Sequence, residues 1–228
     1  MRKEDCWYKA VCTYDSCVNC IRYSEMKYLI DNSGIPKNRR KPQSLEAGID
    51  YNQFVILSSV KEKIKELVEN DDDFNLYICS RETGNGKTSW SIKILLKYFD
   101  QVWAGNGFRV RGYFQHVPTL FNELKNFEKN HDALKDVLKN ADIVVWDDIA
   151  STKLSDFDIQ QLLIILDQRI VDGKTNIYTG NLTSYEAVEK ALGSRLASRI
   201  WNCSTVVELK GKDRRNGSIA DTFKNFSN

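Results

Sequence analysis

The chain has 228 residues, of which 42% are hydrophobic and 28% charged, with a formal net charge of +2. That suits one α/β domain with a small accessory module. It excludes nucleic-acid binding through a large overall basic field, so any such contact rests on local patches. Met1-Arg2-Lys3-Glu4-Asp5 leads into no apolar signal region, and no apolar run is long enough to span a bilayer. A cytoplasmic location without membrane contact is the expectation.

Four of the six cysteines, Cys6, Cys12, Cys17 and Cys20, crowd the N-terminus. The Cys17-x-x-Cys20 spacing fits half of a tetrahedral thiolate zinc site, while Cys6 and Cys12 are spaced more loosely. Residues 1–34 are too few for a core of their own, so a structural Zn²⁺ staple is expected there; a disulfide or free thiols are the alternatives. Trp7, Tyr8, Tyr14 and Tyr23 form either a protein-docking face or the small core of this module. Residues 35–52, with Pro36, Lys37, Arg39, Arg40, Lys41, Pro42 and Gly48, read as a basic linker and a candidate DNA-contacting patch.

From residue 53 to 228 strand-like and helix-like segments alternate. Val60, Ile64, Leu67 and Val68 have helical spacing over 59–69. A buried-strand run at 76–79 precedes a Gly-rich turn and a helix over 88–99. A strand over 109–115 and helices over 118–127 and 133–138 follow. Residues 143–146 form a second buried-strand run, then come a helix at 156–171, a strand at 175–179, helices at 184–191 and 194–200, and a strand at 205–209. Strands apolar throughout and alternating with helices imply a parallel sheet covered on both faces, with its ligand beyond the carboxyl ends of the strands. Cys79 and Cys203 read as small core residues, and Phe108, Tyr113 and Phe127 as core rather than base-stacking platforms.

Gly84-Asn85-Gly86-Lys87-Thr88-Ser89 follows one of these strands and opens a helix, the context a phosphate loop requires. Glycines let backbone N–H groups turn toward phosphate oxygens, and the helix N-terminus faces the same anion. Lys87 is placed to reach the β- and γ-phosphates of ATP, and the Thr88 hydroxyl to hold Mg²⁺. The position where the full pattern has its first Gly is Arg81.

The second strand run ends in Asp147-Asp148. In a P-loop protein that strand is expected beside the P-loop strand, with Asp147 emerging near Thr88 to hold Mg²⁺ through water. Asp148 would then polarise the attacking water. Glu is more usual at the second position, so slow hydrolysis that assembly stimulates is expected.

Together these residues resemble the AAA+ ATPases, in particular the DnaC/DnaI-type replicative helicase loaders, relatives of the DnaA initiators and IstB transposon helpers. Residues 175–182 (TNIYTGNL) resemble the strand that ends in the polar sensor residue, here Asn181. Residues 193–200 (GSRLASRI) resemble the arginine-finger helix, with Arg199 as the finger and Arg195 as its competitor. The basic stretch after the last strand includes Arg214 and Arg215, which either contact phosphate in the same subunit or form a solvated or DNA-facing tail.

The resemblance implies a P-loop core without a C-terminal lid domain and an N-terminal module that docks on a hexameric helicase of the DnaB type. It also implies binding to single-stranded DNA and ATP-dependent self-assembly into an oligomer or open spiral. Lys125, Lys129, Lys135 and Lys139 are candidate DNA contacts on that ground, or simply a solvated face. Two alternatives stay open: an IstB-like transposition helper on duplex DNA, and a nucleotide-gated adaptor that does not hydrolyse ATP.

Overall fold

The computed structural model describes residues 4, 6–13, 16–41, 44–70, 74–124 and 132–213. Among these, five strands form one sheet: β1 (Asn75–Cys79), β2 (Gly112–His116), β3 (Ile143–Ile149), β4 (Thr175–Gly180) and β5 (Thr205–Glu208). Their order is β2-β3-β4-β1-β5, and every pairing is parallel. The expected parallel α/β core is therefore present. Its strand neighbours differ from expectation, because β3 does not adjoin β1 and β4 lies between them.

Strand side chains alternate between two apolar clusters, one on each face of the sheet. Leu76, Ile78, Ile143 and Val145 join one; Tyr77, Cys79, Val144 and Trp146 join the other. The first cluster is covered by α1 (Ile21–Asp31), α2 (Tyr51–Glu62), α3 (Ile64–Asn70) and α4 (Lys87–Val102). The second is covered by α5 (Val117–Leu124), α6 (Asp132–Asn140), α7 (Asp156–Val171), α8 (Tyr185–Leu192) and α9 (Ser194–Ala197), which runs on as a π turn over Ser198–Asn202. The start of α7 is fixed by a capping box in which the Ser155 hydroxyl accepts the Asp158 N–H and the Asp158 carboxylate accepts the Ser155 N–H.

The N-terminal third is built into this core. α1 gives Met26, Leu29 and Ile30 to the same apolar cluster as Leu95 and Phe99 of α4, and Ile35 joins them. The Ser33 carbonyl accepts the Phe114 N–H at 2.6 Å, which covers the open edge of β2. The buried Asp50 carboxylate accepts the backbone N–H groups of Lys210 (2.7 Å) and Gly211 (2.9 Å) beyond β5. The stretch 35–52 thus carries structural contacts at both ends.

Several local expectations are corrected. The helix expected over 59–69 is two helices broken at Lys63. Phe108 is not core; it is exposed, at φ +54°, with its ring edge-on to Tyr28. Cys203 is likewise exposed, at the end of the π turn, whereas Cys79 is buried as expected. Phe127, Tyr14, Lys125, Lys129, Arg214 and Arg215 lie outside the described residues. No helix among the described residues is long and apolar enough to cross a membrane.

Candidate active site

The carboxyl ends of β1, β3 and β4 converge on the start of α4. Gly86, at φ +108°, makes the turn into that helix, a conformation that costs any other residue steric strain. Arg81 is not among the residues at positive φ, so the loop needs no glycine there. Its Nε donates instead to Thr183 Oγ1 at 3.2 Å.

Asn85 is turned inward. Its Nδ2 donates to Ser80 Oγ and to the Leu209 carbonyl, and the same Ser80 oxygen accepts the Glu82 N–H. The side chain expected to serve the nucleotide therefore holds the loop on β1 and on the chain beyond β5. Lys87 Nζ donates to the Glu82 carbonyl at 2.8 Å, spanning the loop from within. Ser89 sits half-buried in the first turn of α4.

Asp147 reaches Thr88 even though a strand intervenes. Thr88 Oγ1 donates to Asp147 Oδ1 at 2.8 Å, and Thr179 of the intervening β4 donates to the same oxygen at 2.7 Å. Burial pushes the Asp147 carboxyl above its usual range; the two threonine hydroxyls oppose this, and the neighbouring Asp148 charge adds to it. A carboxylate raised by burial gains from a nearby cation, and two hard oxygens meeting at a phosphate loop fit Mg²⁺. Thr88 and Asp147 are the residues that would hold it.

Asp148 is set apart from Asp147 by backbone geometry. It lies at φ +64° within a register shift between β3 and β4, and its N–H donates to Thr179 Oγ1 at 3.0 Å. Such an irregularity interrupts strand alternation and re-aims a side chain. Asp148 Oδ2 stands 3.7 Å from His116 Nε2 at the end of β2, and both side chains are open to solvent.

Asn181 follows the end of β4 directly. The two residues after it are anchored: the Leu182 carbonyl accepts the Tyr77 hydroxyl at 2.9 Å, and Thr183 accepts Arg81. Gly180 permits this packing, since a Cβ there would come within 2.6 Å of the Tyr77 hydroxyl. Asn181 is thereby tied beside the phosphate loop. Ser80, His116 and Thr179 were not singled out from sequence.

The two arginines differ. Arg199 Nε forms an ion pair with Asp167 of α7, while Arg195 is exposed. Lys135 and Lys139 lie on α6, away from these contacts in sequence and element.

The N-terminal cysteines are not gathered as expected. Cys6 and Cys12 sit in a helical turn whose Tyr8 and Trp7 pack on the core. Cys17 and Cys20 flank a tight turn with Asn19 at φ +62°. Among the described residues no group of three or more His, Cys, Asp or Glu side chains is placed to hold a metal. The arrangement does not fit the expected Zn²⁺ site. What holds this segment is a polar and aromatic clamp: the Arg22 guanidinium lies 3.2 Å from the Tyr8 ring centre and bonds Asp100 of α4 at 3.0 Å, and the Tyr8 hydroxyl bonds Asp100 as well.

No family model matches the sequence, and no curated protein matches it. Solved structures do. The DnaC helicase loader superposes with a TM-score of 0.61 at 21% identity, over 77% of this chain and 100% of that one. The chain shares the fold of the DnaC loader. DnaI matches with a TM-score of 0.61 at 17% identity, over 79% of this chain and 94% of its own. The replication initiator DnaA, bound to AMPPCP and single-stranded DNA, matches with a TM-score of 0.52 at 16% identity, over 88% of this chain and 55% of its own. The likeness to these structures lies in the fold, a parallel five-stranded sheet with helices on both faces.

Proposed function

We propose that this chain binds and hydrolyses ATP and loads a replicative hexameric helicase of the DnaB type onto single-stranded DNA. The observation that carries the nucleotide reading is the joint of Thr88 and Thr179 on the raised Asp147 carboxylate, at the mouth of a loop that ends in Lys87. The loader reading draws on the fold shared with the DnaC loader and DnaI. The DnaA structure, with an ATP analogue and single-stranded DNA, supports both ligand classes for this fold.

In this reading Lys87 exchanges the Glu82 carbonyl for phosphate oxygens. Backbone N–H groups of the loop and the first turn of α4 hold the phosphates. Mg²⁺, when bound, neutralises charge on the transferring phosphoryl group. Asp148 accepts a proton from the attacking water, Thr179 fixes the acid's backbone, and Asn181 orients the water or the terminal phosphate. The site is completed by an arginine from a neighbouring subunit, so turnover rises with self-assembly. We assign that role to Arg195, because Arg199 is engaged by Asp167 within its own chain.

ATP turnover with and without single-stranded DNA and a DnaB-type helicase tests this, with Lys87→Ala as the control. Turnover raised by either partner and lost in the control supports a loader. Stimulation by duplex DNA alone would point to a transposition helper, and tight ATP binding without turnover to a nucleotide-gated adaptor. Absence of ATP binding would sink the reading at its root.

A further inference from the structure

The outward face of α7 carries no charge along its middle. Its inner side is core, with Leu162, Ile165 and Leu166 buried against the sheet. Opposite lie Phe157, Ile164 and Val171, which are 54%, 56% and 81% exposed, and between them the exposed Gln160 and Gln168. A surface helix ordinarily turns charged residues to water. Here the acids Asp156, Asp167 and Asp172 stand at the ends and along one rim. Single exposed apolar residues need no explanation, but three on one uncharged stripe mark a surface that binds something.

The stripe is complementary to itself. Its residues are spaced 3, 4, 4 and 3 apart, so they share one side of the helix. That spacing reads the same from either end, with Ile164 at its centre. An antiparallel copy of α7 therefore sets Phe157 against Val171, a large side chain against a small one. It sets Gln160 against Gln168, and Ile164 against itself. The Gln168 amide nitrogen already donates to Asp172 at 2.9 Å, which leaves its oxygen to accept from the glutamine opposite. Antiparallel packing also places each helix N-terminus beside a C-terminus, where the two dipoles attract. Lys153, exposed just before α7, supplies a cation at the end where Asp156 and the second copy's Asp172 come together.

We propose that this face of α7 docks a second copy of the chain, packed antiparallel across a two-fold axis at Ile164. The occupant is a second copy because the stripe meets its own reverse. That is the rule of an isologous contact, in which residue i touches j and j touches i. A pair of 16-residue helices, each about 24 Å long, buries less than a standard interface. The dimer is therefore weak, with a Kd on the order of 10–100 µM. It closes after two copies, whereas assembly through an arginine given to a neighbour's site can grow. The proposal is independent of whether ATP is bound or hydrolysed.

Sedimentation velocity of the full-length chain without nucleotide, from about 1 to about 300 µM, should show monomer passing into dimer. Ile164→Lys puts two like charges on the axis at an exposed position. It should weaken association at least about tenfold while keeping the parent's far-UV spectrum. Mild oxidation of cysteine variants, with the joined peptides mapped by mass spectrometry, reads the orientation. In Ile164→Cys, position 164 should join to itself. In Phe157→Cys, position 157 should not, because its two copies stand about 21 Å apart. In F157C/V171C, position 157 should join to 171. A chain that stays monomeric at the highest concentration would overturn the proposal, as would a folded lysine variant that associates as tightly as the parent. Failure of 164 to join to itself, or joining of 157 to itself as readily, would overturn it as well. The cysteine pattern decides the matter if the lysine variant does not fold.

Discussion

Thr179 Oγ1 donates to Asp147 Oδ1 at 2.7 Å and accepts the Asp148 N–H at 3.0 Å. One hydroxyl on the strand between β1 and β3 therefore fixes both acids, one through its side chain and the other through its backbone. A partner of this kind orients the groups that touch a cation or a water, and its loss typically costs about 10–100-fold in activity. Thr179→Val should lower kcat for ATP turnover by about that factor with little change in KM, and Thr179→Ser should restore it. Equal kcat in the valine variant would mean the acids hold their positions without the hydroxyl.

Asp148 carries the proton transfer in the proposed reaction. Asp148→Asn keeps the shape and the His116 contact but removes the base. Turnover should fall by about 10²–10⁴-fold, the range of general base catalysis, with ATP affinity retained. Fluorescent-nucleotide titration beside steady-state turnover separates the two quantities. Undiminished turnover would show that the water is activated elsewhere.

The parts of this site legible in the sequence are the ones carried by neighbours along the chain. The run from Gly84 to Thr88 and the Asp147-Asp148 pair each sit within a few residues, and the phosphate loop's conformation needs only local glycines. Thr179 and His116 escaped because strand order brings them in, while Ser80 is local but carries no motif of its own, acting only through Glu82 and Asn85. With β4 set between β1 and β3, a hydroxyl in β4 becomes the bridge between Thr88 and Asp147, and no spacing in the chain announces it. α1 escaped for a different reason. It buries Met26, Leu29 and Ile30 but also Glu25, and leaves Ile21 exposed, so its apolar residues do not form one clean stripe. The zinc expectation finds no support among the described residues: cysteine spacing suggested a centre, whereas contacts of Tyr8 and Arg22 with Asp100 hold that segment.

The contrast between the two arginines gives a third prediction. An arginine that serves a neighbouring subunit must be free to leave its own surface, and Arg199 is paired with Asp167. Arg195→Ala should leave ATP binding and stability unchanged while lowering assembly-stimulated turnover by about 10³-fold or more. Arg199→Ala should act on stability instead, by up to about 1 kcal/mol for a partly exposed ion pair. Mixing Arg195→Ala with Lys87→Ala protein should restore some turnover, since each supplies what the other lacks. The reverse pattern would return the role to Arg199.

Asp142 predicts acid sensitivity. Burial alone raises its carboxyl, but Arg111, the Tyr98 hydroxyl and Arg109 outweigh it and hold the group below the ordinary carboxylate range. A folded value below the unfolded one, about 3.9, adds stability that is fully present above that pH. It is lost as pH falls through the lower folded value. Asp142→Asn should therefore cost about 3 kcal/mol at pH 7, as breaking a buried pair does. The gap between the urea midpoints of parent and variant should be constant from pH 7 to about 4 and narrow as pH falls below that toward the folded value. Parallel curves would mean the carboxylate's charge contributes nothing.

Arg169 is fully buried, and the bonds it makes are to neutral acceptors. Its guanidinium donates to the carbonyls of Leu138, Ala141 and Thr175 and to Asn176 Oδ1, so one side chain of α7 ties the end of α6 to the starts of β3 and β4. Burying the charge costs free energy, and leaving those carbonyls without donors also costs about 1–3 kcal/mol each. The second term should win, because the acceptors cannot reach water once the helix has packed. Arg169→Met is expected to destabilise the fold by about 3 kcal/mol or more. Arg169→Lys should recover little of it, since three donors on a point charge cannot span acceptors set for a planar fork. Denaturant unfolding of the three proteins ranks the terms. A neutral or stabilised methionine variant would show that desolvation of the cation outweighs everything its bonds return.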